Sequence, residues 1–436
     1  VQQTTSKRGG LAELKRKILL TFLLLAICRI GVHIPVPGVD SQAVADLFAD
    51  MQGTLVGLFD MFTGGGLGNL AIFALGIMPY ISAAIIIQLL TVVSPELKRL
   101  SKEEGAAGRK KITQYTRYGT VLIATIQGLG IAIGIENMTS PAGVPVVMDP
   151  GWGFRITTVM TLVAGTVFLM WLGEQITEYG IGNGISLIIC AGIVAMFPEA
   201  VMNTFRLMGA GQISLFVAIL LALIVVGVLI FIVFMERGQR RIPIQYAKRM
   251  LGRKMYGGQT THLPLKVNTA GVIPPIFASS ILMFPATLAT FAHAAWLQDI
   301  SAMFDPMSLL YNIIFVVLII FFCYFYTAII FDPKDIAENI RKQGGFVPGI
   351  RPGLRTTEYL DMVLNRLTLW GSLYISAICV LPVLLIAQFD VPFYFGGTGV
   401  LIVVVVAMDT MSKVDSYLIT HQYEGLMQKT RIKGRR

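Results

Sequence analysis

Charge is scarce in this chain. Only 14% of its 436 residues are Asp, Glu, Lys or Arg, where a soluble domain carries about a quarter. Together with 55% hydrophobic residues, that scarcity excludes an ordinary soluble globular protein and points to a chain that crosses a bilayer many times. Histidine is rarer still. His33, His262, His293 and His421 fall in connections, a tail or an interface, so a proton relay or an embedded metalloenzyme would lack ligands at membrane depth. Neither GxxxxGK[ST] nor GxGxxG occurs, and "GAAGRKK" (105–111), the nearest approach, has the wrong spacing, which leaves no cradle for nucleotide phosphates. Cys28, Cys190, Cys323 and Cys379 all lie inside apolar segments; without paired extracellular or metal-ligand spacing they read as small packing residues. No catalytic residue, metal ligand or cofactor site is expected, and any work the chain does is mechanical.

Long apolar runs are abundant instead. A spanning helix needs about 20 apolar residues to cross a hydrocarbon core about 30 Å thick, and ten segments approach that rule: 18–34, 72–93, 112–135, 156–176, 184–201, 215–235, 271–291, 309–331, 367–389 and 395–411. The first follows a basic run without a small-residue cleavage site and reads as a retained helix, not a signal peptide. Counting Lys and Arg, the N-terminal tail has 5, the second connection 6, the fourth 0, the sixth 8, the eighth 6 and the C-terminal tail 6; the odd connections have 0, 1, 1, 0 and 0. The positive-inside rule then places both termini and the even connections in the cytoplasm. The net charge of +10 is a property of one face, for which topogenesis and partner binding are both adequate explanations.

Two connections are unusually long. The sixth (236–268) and eighth (332–366) each exceed thirty residues, against about 2 to 8 for ordinary helix connections, and loops of that length are usually functional. Ten helices divide as five plus five, residues 1–203 and 204–436, and an odd number per half forces opposite orientations, the arrangement of an inverted repeat with a path between the halves. The spans read as nearly free of charge: Arg29 in the outer part of the first can snorkel, and Asp409 lies near the inner end of the last. GxxxG spacing at Gly130–Gly134 and Gly180–Gly184 signals close helix packing.

Between the first and second segments lies "LFDMFTGGGL" (58–67), too short to cross a bilayer, too apolar for a free loop, and ending in three glycines. By residue type alone it is either an Ω-type surface loop or a peg on a flexible tether. A secondary transporter built on an inverted repeat is the main rival to a polypeptide channel, but it would need a charged midplane site. An intramembrane hydrolase would need a nucleophile and base within reach of each other.

Several long stretches carry a family resemblance, in order, over essentially the whole chain: "IFALGIMPYISAAIIIQLLTVV", "RKKITQYTRYG", "MWLGEQITEYGIGNGIS", "ERGQRRIPIQYAKR", "THLPLKVNTAGVIPPIFASS", "FVPGIRPG" and "PFYFGGTGVLIVVVV". They resemble the SecY family, the central subunits of bacterial protein-translocation channels. The resemblance implies an all-α polytopic inner-membrane protein, an hourglass of two inverted five-helix halves. It implies that unfolded secretory polypeptides pass through, and that hydrophobic segments leave sideways into lipid between helices two and three and helices seven and eight. It assigns a pore ring to Ile77, Ile81, Ile185, Ile189, Ile276 and Ile402. It assigns a plug at about 54–68, with Leu55, Val56, Leu58, Phe59, Met61 and Phe62 as apolar contacts and Gly64, Gly65 and Gly66 as the tether. Docking of a SecA motor ATPase or a ribosome falls to Arg241, Lys248 and Arg351, and small SecE-like and SecG-like subunits are implied as partners. By residue type alone an isoleucine in a spanning helix packs or faces lipid; the i, i+4 spacing of Ile77/Ile81 and Ile185/Ile189 adds only that each pair shares a helix face.

Overall fold

A computed structural model describes residues 3–50, 55–102, 105–136, 138–139, 143–211, 214–246, 249–251, 254–256, 260–291, 308–389 and 397–430, some helix and strand ends by backbone alone. Each of the ten apolar segments contains helix. Among the described residues, seven helical stretches are long and apolar enough to cross a membrane by length and composition, while 78–93 and 273–282 are shorter apolar helices. The count of ten full-length spans is therefore not reproduced. The second segment is shortened because 72–77 is a chain of turns and the helix begins only at Met78. The fifth breaks at Met196, ahead of Pro198, where the missing N–H favours a new helix start, yet 184–209 is still one of the seven stretches. The C-terminal tail, read as a tail in sequence, is helix through Thr430.

The chain clusters into two compact units. The first holds 1–212, 280–308 and 392–436, and the second 213–279 and 309–391. In the first, α1 (Gln3–Gly31), α2 (Ser41–Asp50), the short α3 (Leu55–Thr63), α4 (Met78–Val93), α5 (Pro95–Lys102), α6 (Gly105–Glu136), α7 (Trp152–Tyr179), α8 (Gly184–Ala195) and α9 (Phe197–Gly209) follow one another. Later in the chain α15 (Gly397–Thr430) packs on α8 and α1. Leu24, Cys28 and Val32 meet Phe73 and Leu169, Leu172 and Ile176 in one buried cluster. Glycines allow these approaches: a Cβ at Gly31 would strike the Phe73 ring, and one at Gly165 would strike the Ile72 carbonyl. Small residues at membrane helix contacts serve this close packing. α8 is started by Asn183, whose side-chain oxygen accepts from the Ile185 N–H at 3.2 Å, one of the donors a helix start leaves open.

The second unit holds α10 (Leu215–Arg237), then β1 (Gln239–Tyr246), β2 (Arg249–Leu251), β3 (Lys254–Tyr256) and β4 (Thr260–Lys266). α11 (Ile273–Phe291) opens in this unit and from Ser280 belongs to the first. Then come α12 (Leu309–Ile330), α13 (Pro333–Lys342), β5 (Gly345–Phe346) and α14 (Leu354–Phe389). The two long basic connections share one antiparallel sheet in the order β4-β1-β5, with Gln245 opposite Phe346 and Tyr246 opposite Gly345. Alternation in β1 buries Ile242 and Ile244 and leaves Arg241 and Pro243 exposed, as a strand's two-residue period requires. Ile242 and Leu265 pack with Ala337, Val347, Leu360, Val363 and Leu364 beneath the sheet.

Candidate functional site

The opening residues of α3 are described by backbone alone, so the side chains of Leu55, Val56 and Leu58 lie outside the described residues. The others assigned to the plug turn inward: Phe59, Met61 and Phe62 are 2%, 5% and 7% exposed. α3 packs on α8.

Three close contacts fix where α3 and the turn after it rest. A Cβ on Gly399 of α15 would stand 3.3 Å from both Met61 Cε and Ile193 Cγ2. Gly64 lies against Gly192 of α8, and Thr63 Cγ2 would be 3.1 Å from a Cβ on Gly76. Ile193 is one turn past Ile189 in α8, Gly399 is one turn before Ile402 in α15, and Gly76 directly precedes Ile77. Residues three or four apart share a helix face. The segment assigned to the plug is therefore about one turn away from assigned ring residues on α8 and α15, and beside the one that opens α4.

The ring residues themselves are apolar and inward. Ile77, Ile81, Ile189 and Ile402 are buried in the first unit, and Ile185 is half-buried there, with Cγ1 3.2 Å from where a Cβ on Gly173 of α7 would be. Ile276 is buried in the second unit, in the first turn of α11. Ser280 Oγ, farther along α11 and in the first unit, donates to Met78 Sδ of α4 at 3.9 Å.

The expectation of a loose glycine tether is corrected. Gly64 and Gly65 take φ of 71° and 88°, left-handed values that suit glycine, yet the chain through them is firmly bonded. Asp60 Oδ1 accepts from the N–H groups of Leu67 and Gly68, both at 2.8 Å, and from the Thr63 hydroxyl at 3.1 Å. The Thr63 hydroxyl oxygen in turn accepts from the Gly66 and Leu67 N–H groups, and Gly66 O accepts from Ala71 N–H at 2.8 Å. The glycines serve a tight turn and a close approach. Burial lifts the Asp60 carboxyl above the usual carboxylate range, against the pull of the donors from Gly68, Thr63 and Leu67, and the nearby Glu199 charge adds to the lift.

Two further expectations change. Arg29 does not snorkel: its Nη1 donates to the Gly64 carbonyl at 2.6 Å. Nor are the spans otherwise clean, because Arg117 in α6 and Glu174 in α7 form a two-point pair, Nε to Oε1 at 3.0 Å and Nη2 to Oε2 at 2.6 Å. Both charges stand in the sequence inside predicted spans; pairing between neighbouring helices is what makes their placement tolerable. Asp60 and Arg29 also had a legible signal, as lone opposite charges in apolar surroundings.

In the second unit, Arg241 is exposed on β1 opposite Pro264, and Arg351 is exposed in the β5–α14 turn, where Gly349 and Gly353 take φ of 82° and 104°. Thr356 donates to the Arg351 carbonyl at 3.0 Å and holds that turn. Lys248 lies outside the described residues. Sequence reading did not anticipate the buried network at the base of the sheet. Asn268 Nδ2 donates to Glu236 Oε1 at 2.6 Å and to the Gly271 carbonyl at 3.1 Å, and Asn268 Oδ1 accepts from Gly271 N–H at 2.9 Å. The Tyr374 hydroxyl donates to the same Glu236 oxygen at 3.4 Å.

Comparison with known proteins bears on the family and the fold. The sequence model of the SecY family matches residues 71–411. The protein translocase subunit SecY of Pseudomonas aeruginosa is 52% identical over 430 residues, covering 98% of this chain and 96% of that protein. Its counterpart in Escherichia coli K12 is 53% identical over 433 residues, covering 98% and 97%. Among solved structures, one described as a protein conducting channel has a TM-score of 0.66 at 18% identity, covering 94% of this chain and 93% of that one. A structure described as showing that the SecY plug domain stabilises the closed channel scores 0.60 at 18% identity, with the same coverage. Sec61 in a canine ribosome-channel complex scores 0.62 at 17%, again over 94% and 93%. At these identities the structures speak for the fold.

Proposed function

The chain belongs to the SecY family, and on that premise we propose that it is a channel that threads unfolded secretory polypeptides across the membrane. The observation that carries this reading is the placement of the plug. α3, α8, α15 and the start of α4 bring one small apolar helix beside Ile77, and within about a turn of Ile189 and Ile402, on a single side of them. α8 runs away from Ile189 toward the plug, and α15 runs from the plug toward Ile402, so two antiparallel helices agree on which side it occupies.

A pore for unfolded chain has to close without gripping. Isoleucine side chains are stiff at χ1 and offer no hydrogen bond, and an apolar constriction excludes ions by dewetting. We assign that constriction to Ile77, Ile81, Ile185, Ile189 and Ile402 of the first unit; Ile276 joins them by family resemblance. The plug, at about 54–68, covers it when the channel is idle. Both termini and the basic connections lie on the cytoplasmic side by the positive-inside rule, in a bacterial inner membrane, so the plug is extracytoplasmic. The division into inverted halves at 203/204 belongs to the same reading. The Ser280–Met78 contact is one closure of the side exit, through which an apolar segment leaves by burying its CH₂ groups in lipid at about 0.8 kcal/mol each.

The channel carries no energy source of its own in this reading. A SecA motor or a ribosome supplies the drive, docking on the shared β4-β1-β5 sheet through Arg241, Lys248 and Arg351. A guanidinium presents a planar fork to carboxylates on a motor or phosphates in RNA. SecE-like and SecG-like subunits complete the assembly. Reconstitution into vesicles tests the reading. Transport of a secretory precursor that requires motor and ATP supports it; solute flux without either would favour the transporter.

A further inference from the structure

We propose that Arg29 is the positioning residue that keeps the plug seated, a clasp reaching from α1 to the end of α3. The proposal rests on the plug reading above and adds the group that holds it. Arg29 Nη1 donates to the Gly64 carbonyl at 2.6 Å, and a charge-assisted bond of this kind is roughly twice as strong as a neutral one. The acceptor lies one residue past Thr63, the last residue of α3, where open carbonyls concentrate partial negative charge. Arg29 thus meets the plug at its C-terminal end, while Gly192 of α8 meets Gly64 closely enough that a Cβ on Gly64 would be 2.7 Å from both Gly192 Cα and Arg29 Nη1.

Its physical form suits reversible holding. The partner is a backbone carbonyl, so the bond depends on where the plug lies and on no plug side chain. Arg29 is only half-buried, which lets water take over its donors when the plug leaves. A basic side chain near the far end of α1 also runs against the charge bias of that face: the first connection has 0 Lys or Arg. Its retention there is explained by use.

The test compares idle ion conductance in planar bilayers for the parent, Arg29→Ala, Arg29→Lys, a deletion of 55–67, and the deletion combined with Arg29→Ala. The clasp predicts at least a tenfold rise for Arg29→Ala, partial rescue by Arg29→Lys, and no further rise when Arg29→Ala is added to the deletion. A second measurement reads plug position: a Met61→Cys/Gly399→Cys pair should crosslink readily on oxidation, less in the Arg29→Ala background, and the crosslink should restore the seal there. A tight Arg29→Ala channel beside a leaking deletion would overturn the clasp and leave the plug reading standing. Additivity with the deletion would overturn it too. A deletion that does not leak would remove the plug reading and the clasp together.

Discussion

Gly64 and Gly192 are in backbone contact, and the contact is lopsided. A Cβ on Gly64 would stand 2.7 Å from Gly192 Cα, whereas a Cβ on Gly192 would stand 3.4 Å from Gly64 Cα. Gly64 also has φ of 71°, which costs an ordinary residue about 1 kcal/mol or more. Gly64→Ala should therefore unseat the plug and raise idle conductance severalfold, and Gly192→Ala should leave it near the parent level. Equal behaviour of the two variants would contradict this placement.

Asp60 organises the turn that follows α3. Removing its carboxyl leaves the Gly68 N–H without its acceptor, and leaves the Leu67 N–H only the Thr63 hydroxyl and the Thr63 hydroxyl only the Asp60 carbonyl, at about 1–3 kcal/mol. Asp60→Ala should leak, while Asp60→Asn keeps an oxygen in place and should seal. The docked carboxyl is raised by burial, so docking binds its proton more tightly than the free plug does. The seat is then firmest below the ordinary carboxyl value of about 4 and loosens as pH rises through the raised value. Idle leak should grow along that rise in the parent and stay flat in Asp60→Asn, measured by conductance across a pH series.

Much of this was legible in the sequence and some was not, for physical reasons. Apolar runs located helix in all ten segments because membrane insertion is decided by local composition. Where α4 starts was not legible: turns at 72–77 are fixed by the Val36 N–H to Leu70 O and Ile72 N–H to Ile34 O bonds, at 2.9 Å each, which join residues far apart in sequence. Three glycines read as slack because glycine permits mobility; it equally permits the approach of Gly64 to Gly192, and only tertiary contact chooses between the two. The Arg117–Glu174 pair is not legible because sequence shows only the cost of each charge in a span, and the partner, 57 positions away, shows only in the fold.

Asn268 ties the end of α10 to the turn before α11. Asn268→Ala leaves Glu236 with only the long Tyr374 bond and strands the Gly271 N–H in a buried site, a loss of about 3 kcal/mol, and should lower the thermal unfolding midpoint in detergent. Asn268→Asp should lower it further by setting a second carboxylate against Glu236. An unchanged midpoint in both would show that the network carries no weight.

Arg351 stands on a turn stiffened by Pro348, Gly349, Pro352 and Gly353 and by the Thr356 bond to its carbonyl. Arg351→Glu should abolish motor-driven export from vesicles while the channel still inserts and keeps its idle seal. Full export by this variant would remove Arg351 from the docking surface.

The central claim is that isoleucine side chains make a dry seal that lets a chain through without leaking ions. The direct measurement is ion current through a reconstituted channel holding a precursor stalled in transit, when the plug is displaced and only the constriction separates the two solutions. With the native residues the current should stay close to that of the idle channel; with Ile81, Ile189 and Ile402 all changed to Ser it should rise at least severalfold. Equal currents in the two channels would contradict the account.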